Sequence, residues 1–277
     1  MSGPSSWRDL ITPEELDPDN LRQRLAAATN RLARQSSLLR IAADKVVVVG
    51  DTHGDADSSW SAISNHLKGG ATLLFLGDYV DRGPYQLENL LILLISAEDA
   101  PERLLMLRGN HEIPEMNRWY GFLEVVSDLY GPGFYSNFSA MFAQLSITAL
   151  INDRFLAVHG GLAHSLRSIS QLAELPKGAE NPSGIVSEVL WNDPDEDIEF
   201  FAPNSRGPGT FRYGRRAVSD FLKANGLDAI MRSHEPRSDG VSIEMGGGVY
   251  TVFSCRYYGI PPSALLIEGD EVSVLRL

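Results

Sequence analysis

The sequence is poor in sulfur. Its 277 residues contain one cysteine, Cys255, which excludes an intrachain disulfide, a thiolate zinc knot and an iron–sulfur cluster. A reducing compartment is therefore expected, and any metal must be held by imidazole, carboxylate and amide groups. Positive charge is also scarce: 24 Lys and Arg stand against 36 Asp and Glu, a net charge of −12. Binding to a phosphate backbone needs the opposite sign, so no nucleic-acid partner is expected. Long apolar runs are missing too. The stretch 90–95 falls far short of the roughly 20 residues that cross a bilayer. The opening Met1-Ser-Gly-Pro-Ser-Ser has no apolar secretion core, so a cytoplasmic protein without membrane attachment is expected.

What remains is ordinary globular material, 43% hydrophobic and 22% charged, with neither an internal repeat nor a low-complexity linker to divide it. Residues 1–44 read as a polar, mostly helical lead-in packed on the core, and residues 45–277 as a single domain. Thr12 with Glu15 resembles a capping box. Leu21, Leu25, Ala28 and Leu32 recur at helical spacing, so one face should bury. Five arginines from Arg22 to Arg40 suggest an organelle transit helix, but Asp9, Glu14, Glu15, Asp17 and Asp19 spoil that signal. From Lys45 the texture changes. Apolar runs at 45–49, 72–76, 104–107 and 155–158 each end near glycine and read as buried strands. Helices are expected at 58–67, at 86–97 and in a longer region from 114 to 145. Short strands follow residue 227, with Gly246-Gly247-Gly248 at a hairpin turn. Strands alternating with helices make this an α/β domain, α+β by some schemes.

The chemistry collects where strands end. Gly50-Asp51-Thr52-His53-Gly54 follows the first strand, and Gly77-Asp78-Tyr79-Val80-Asp81-Arg82-Gly83 the second. Gly109-Asn110-His111-Glu112 follows the third, His159-Gly160-Gly161 the fourth, and Ser233-His234-Glu235 a later one. Open α/β sheets bind ligands at the carboxyl ends of their strands. A lone Asp or Asn after a strand is ordinarily a turn former, and a lone His an ordinary polar side chain. His66 and His164 belong to that ordinary class. Five turns delivering metal-binding residue types to one edge do not.

Oxygen and nitrogen donors without sulfur suit manganese, iron or zinc. Asp51, His53, Asp78, Asn110, His159 and His234 are about right for two ions sharing a carboxylate. Asp51, His53 and Asp78 fall to one ion, and Asp78, Asn110, His159 and His234 to the other, with Asp78 bridging. Such a pair clamps an in-line displacement at phosphorus, with the water between the ions as incipient hydroxide. His111 is left over as general acid for the leaving group, oriented by Asp81. Arg82 offers a planar fork for phosphate oxygens.

These blocks, in this order, resemble the signature of the PPP family of metal-dependent serine/threonine protein phosphatases, within the calcineurin-like metallophosphoesterases. Asn117-Arg-Trp-Tyr-Gly121, Leu190-Trp-Asn-Asp-Pro194 and Arg232-Ser-His-Glu235 extend the likeness over about residues 40–260. The resemblance implies a central β-sandwich flanked by helices, a dinuclear site at the carboxyl ends of the strands, and a metallophosphatase catalytic domain over 45–277. It implies the ligand set and the His111–Asp81 acid pair given above. It further implies phosphate contacts from Arg82, Asn110, Arg206 and Tyr258, and a phosphoprotein or phosphopeptide as substrate. A regulatory subunit is left unspecified. Two features depart from the pattern. The segment from Arg206 to Gly214 is one residue longer, and a late Ser-Ala-Pro-Asn-Tyr-Cys becomes Ser254-Cys-Arg-Tyr-Tyr-Gly259. Hydrolysis of symmetrical dinucleoside tetraphosphates is the alternative within the superfamily, and a catalytically silent binding module the alternative outside it.

Overall fold

The computed structural model describes residues 4–277. Strands follow in chain order as β1 (Leu38–Ile41), β2 (Lys45–Val49), β3 (Thr72–Phe75), β4 (Leu104–Met106), β5 (Thr148–Ile151), β6 (Phe155–Ala157), β7 (Asp193–Pro194), β8 (Phe201–Pro203), β9 (Phe211–Tyr213), β10 (Ala229–Arg232), β11 (Val241–Glu244), β12 (Val249–Val252), β13 (Ser263–Glu268) and β14 (Glu271–Arg276). One sheet runs β1-β5-β6-β10-β12-β11, a second β14-β13-β2-β3-β4, and a small third β7-β9-β8.

The two large sheets face each other. Val46, Val48, Leu74 and Leu76 of the second sheet pack on Ala149, Ala157, Met231 and Val252 of the first. The alternate residues Val47, Val49, Leu73 and Phe75 point the other way, into a helical layer built on the helix Gln86–Asp99. Both faces of these strands are therefore dry, which is why they read as unbroken apolar runs rather than as alternating ones. A further helical layer covers the outside of the first sheet through Val189, Leu190, Phe221 and Leu222. The result is an α/β sandwich of two sheets flanked by helices. β2, β3 and β4 run parallel, as do β6, β10 and β12. A parallel bridge between Asp51 and Phe253 joins the sheets where β2 and β12 end. That junction gathers six strand ends in one place.

The lead-in differs from expectation at both ends. Its long helix spans Pro18–Ala33, and the cap is Asp17, whose side chain accepts from the N–H groups of Asp19 and Asn20. Thr12 only closes a turn with Glu15. Residues 38–41, read as part of a helical lead-in, form β1, which pairs with β5 at a sheet edge. A residue range ending at 44 therefore cuts through the sheet. Leu21, Leu25, Ala28 and Leu32 are buried together with Phe138 and Phe142. The region 114–145 breaks into helices Pro114–Tyr120, Phe122–Tyr130 and Tyr135–Ala143, the first ending at Gly121 with φ 111°. The expected hairpin is present: β11 and β12 are antiparallel around Met245–Gly247.

Candidate active site

Several side chains at the sheet junction sit on residues with left-handed backbone. His53, Asp78, Asp81, Arg82 and His234 have φ of 40°, 56°, 68°, 71° and 73°, a conformation costing on the order of 1–3 kcal/mol for a residue with a Cβ. The surroundings enforce it. The buried Glu112 carboxylate accepts from the N–H groups of Asp78 (2.8 Å), Tyr79 (2.9 Å) and Gly109 (2.8 Å). Gly77, with φ 113°, lets the chain turn beneath Asp78; a Cβ there would lie 2.4 Å from the Gly109 nitrogen.

The six residues expected to share metal ions come together. His53 donates Nδ1–H to the Val80 carbonyl at 2.9 Å, leaving the Nε2 lone pair turned inward. That nitrogen lies 3.8 Å from Asp51 Oδ2 and 3.5 Å from Asp78 Oδ2. Asp51 Oδ1 is engaged by the His234 N–H at 3.0 Å and by the Ser233 hydroxyl, so its second oxygen faces His53. On the other side, His159 donates Nδ1–H to the Leu76 carbonyl at 3.0 Å. Its Nε2 then lies 2.8 Å from Asn110 Oδ1, 3.2 Å from His234 Nδ1 and 3.3 Å from Asp78 Oδ1. The two oxygens of Asp78 thus face two separate groups of donors.

Burial pushes His53 down to about 3 and His234 well below the ordinary histidine range, keeping both rings neutral with free lone pairs. Burial and the neighbouring Asp78 charge push the Asp51 carboxyl up to about 6. Carboxylate oxygens, an amide oxygen and imidazole lone pairs therefore converge without donors to match them. Burial opposes protonation of His159, but Asp78 favours it, and that positive charge is what a cation would supply. The donor set fits two cations of the manganese, iron or zinc kind. His53, Asp78 and His111 offer donor atoms within 4.8 Å of one another, as do Asp78, His159 and His234. His111 differs from the rest of that set in its partners.

His111 Nδ1 lies 2.7 Å from Asp81 Oδ2, and its Nε2 4.0 Å from Asp78 Oδ2. Asp81 is held in turn by Asn117 Nδ2 at 2.9 Å and the Phe122 N–H at 3.0 Å. The Tyr135 hydroxyl donates to Asn117 Oδ1 at 2.6 Å. Burial pushes His111 toward the neutral form, yet the carboxylates of Asp78 and Asp81 overcome it and raise its pKa. The acid form of His111 is thereby favoured at the edge of the site. Glu112 and Asn117 fall within motifs visible in the sequence, 109–112 and 117–121, without a role of their own there, and nothing along the chain links Tyr135 to the site.

The pocket above these residues has a volume of about 390 Å³ and is lined by Arg82, Arg206, Tyr120, Trp191 and Tyr258 as well as the polar cluster. Arg82 is exposed, its guanidinium 4.2 Å above the Tyr120 ring. Arg206, on the β8–β9 connection, is tied to Asp193, which also binds Arg232 Nη2 at 3.0 Å. The buried Asp193 carboxyl is held below its usual range by Arg232, His234 and Arg206 although burial opposes this. Tyr258 stacks over His53 with ring centres 5.9 Å apart. A larger cleft of about 580 Å³ lies elsewhere, between Leu162, Phe201 and Phe221, and is mainly apolar.

Comparison with known proteins gives the same direction. The calcineurin-like phosphoesterase family matches residues 44–238. The chain is 33% identical over 251 residues to the serine/threonine-protein phosphatase PP1-delta of Caenorhabditis elegans, covering 89% of this chain and 82% of that protein. It is similar in structure to a protein serine/threonine phosphatase from Saccharomyces cerevisiae described as similar to human phosphatase PP5. That match has a TM-score of 0.88 and 28% identity over 94% of this chain and 89% of the other. A cold-active protein-tyrosine phosphatase from a psychrophilic Shewanella shares the fold, with a TM-score of 0.66 and 17% identity over 90% of this chain and 84% of the other.

Proposed function

The chain belongs to the calcineurin-like phosphoesterases and, within them, to the serine/threonine protein phosphatases, and on that premise we propose how its residues remove phosphate from phosphoserine and phosphothreonine in proteins. Asp51, His53 and Asp78 would hold one metal ion, and Asp78, Asn110, His159 and His234 the other, with manganese serving in vitro and iron or zinc natively. When bound, two such ions polarise a water and neutralise charge developing on phosphate. The chain supplies the rest. Arg82 and Arg206 bind the non-reacting phosphate oxygens as planar forks, and Asn110 and Tyr258 complete the walls. His111, kept protonated by Asp81, gives its proton from Nε2 to the departing serine or threonine oxygen. The catalytic domain that carries this chemistry includes β1, and the helix Pro18–Ala33 braces it from outside.

The observation that supports the reading most is the His111–Asp81 pair at 2.7 Å, aimed into the same pocket as Arg82 and Asp78. A phosphate monoester with a poor alkoxide leaving group needs such an acid. No helix is long and apolar enough to cross a membrane among the described residues. We place the protein in the cytoplasm, acting on phosphoproteins rather than on nucleic acid or at a membrane, with any regulatory subunit unassigned. The test is a panel of phosphoserine and phosphothreonine peptides beside a symmetrical dinucleoside tetraphosphate, with manganese. Peptide hydrolysis is expected; cleavage of the nucleotide alone would overturn the assignment.

A further inference from the structure

We propose that Arg256 is a positioning residue that fixes Tyr258 over His53, an inference that rests on Tyr258 forming a wall of the phosphate site. The segment leaving β12 crosses the loop that carries His53 and is fastened to it twice. On one side the Ser254 N–H donates to the Asp51 carbonyl at 3.1 Å, and the Gly50 N–H donates to Ser254 Oγ at 2.8 Å. On the other, the Arg256 backbone N–H and Nε both donate to Asp55 Oδ2, at 2.8 and 3.0 Å. Arg256 Nη2 adds a bond to Ser58 Oγ at 3.1 Å.

Asp51 and Asp55 stand two residues before and two after His53, so both fastenings act on one short loop. Between them the turn Arg256–Tyr258, closed by Gly259 with φ 72°, lays Tyr258 against His53 at 5.9 Å and against Phe253 at 4.8 Å. Asp55 is itself rigid: it is fully buried and caps the helix Ala56–Ala62 through the Ser58 N–H at 3.0 Å. Arg256 is its one cationic partner among the described residues. Charge-assisted bonds to a buried carboxylate are the strong kind, and here they are spent on a surface turn. The guanidinium does not line the pocket, so it acts only through the ring it places. Asp51 and His53 keep their own bonds to Ser233, His234 and Val80, so loss of Arg256 leaves the metal ligands in place.

The experiment uses the metal-loaded protein and Arg256→Ala, Arg256→Lys, Tyr258→Ala and the Arg256→Ala/Tyr258→Ala double variant. It reads inhibition by inorganic phosphate, kcat and KM for p-nitrophenyl phosphate, metal content and melting temperature. Arg256→Ala is expected to weaken phosphate inhibition and raise KM on the order of tenfold while kcat and metal content hold. Arg256→Lys should recover part of this. In the Tyr258→Ala background the Arg256 effect should vanish, because residues acting through one another are not additive. An Arg256→Ala effect of equal size with and without Tyr258→Ala would overturn the proposal, as would unchanged phosphate inhibition in Arg256→Ala. Unchanged inhibition in Tyr258→Ala alone would overturn the phosphate reading of Tyr258 itself. If Arg256→Ala does not fold, Arg256→Gln, which keeps a donor toward Asp55 without the charge, is read by the same criteria.

Discussion

At the scale of single residues, the site depends on side chains whose backbone is strained and whose protons are assigned by neighbours. His111 owes its proton to Asp81 and Asp78, and this makes two predictions. His111→Asn should lower kcat on the order of 10²–10⁴-fold while KM changes little, because leaving-group protonation matters in the transition state; steady-state kinetics on a phosphopeptide decides it. Asp81→Asn removes one of the carboxylates that raise the His111 pKa. The acid form is present below that pKa and lost as pH rises through it, so the basic limb of the kcat profile should move to lower pH in the variant. With both proteins loaded with the same ions, the difference between the limbs isolates Asp81. Residue types were the most legible layer: Asp51, His53, Asp78, Asn110, His159 and His234 stand out because each follows an apolar run. Glu112 was not legible as a support, because a carboxylate beside His111 reads equally as ligand, base or backbone holder. Only its bonds to three N–H groups show which it is.

At the scale of elements, burial pattern decided what could be read. The helix Pro18–Ala33 shows its buried face in Leu21, Leu25, Ala28 and Leu32, all 4% exposed or less, because a helix with one wet side keeps its period in the sequence. Leu25→Ala should cost about 2–5 kcal/mol of stability by leaving a cavity against Phe138 and its neighbours. Urea unfolding reads this as a lower midpoint at unchanged slope, whereas phosphatase activity of the folded fraction should persist. β1 was missed because four residues at a sheet edge, pairing only with β5, give too short a run to tell from the end of a helix. The sheet of β7, β8 and β9 was missed for the same reason, and it is what supports the connection bearing Arg206.

At the scale of the whole molecule, the sandwich brings two buried carboxylates, Asp51 and Asp78, into one desolvated junction. Stripping the ions with a chelator should lower the melting temperature, and manganese should restore it. The sign of the pH effect follows from Asp51, whose carboxyl is pushed up to about 6 in the fold without metal. A raised pKa contributes stability that is full below the unfolded value near 3.8 and is lost as pH rises through about 6. The gap between loaded and stripped protein should therefore widen from pH 5 to pH 7 in calorimetry. An equal gap at both would count against cations between these carboxylates.

By itself the sequence determined the class of chemistry: residue types at strand ends and a single cysteine already limit the donors to nitrogen and oxygen. It also marked which strands are buried, since strands dry on both faces are written as unbroken apolar runs, whereas the stacking of two sheets was implied only by the family resemblance. Only the tertiary structure decided which oxygen of Asp78 faces which donors, that Glu112 and Asn117 brace rather than bind, and that Arg256 grips Asp55. Those facts depend on contacts between residues as far apart as 55 and 256, and distances of that kind leave no period or spacing along the chain.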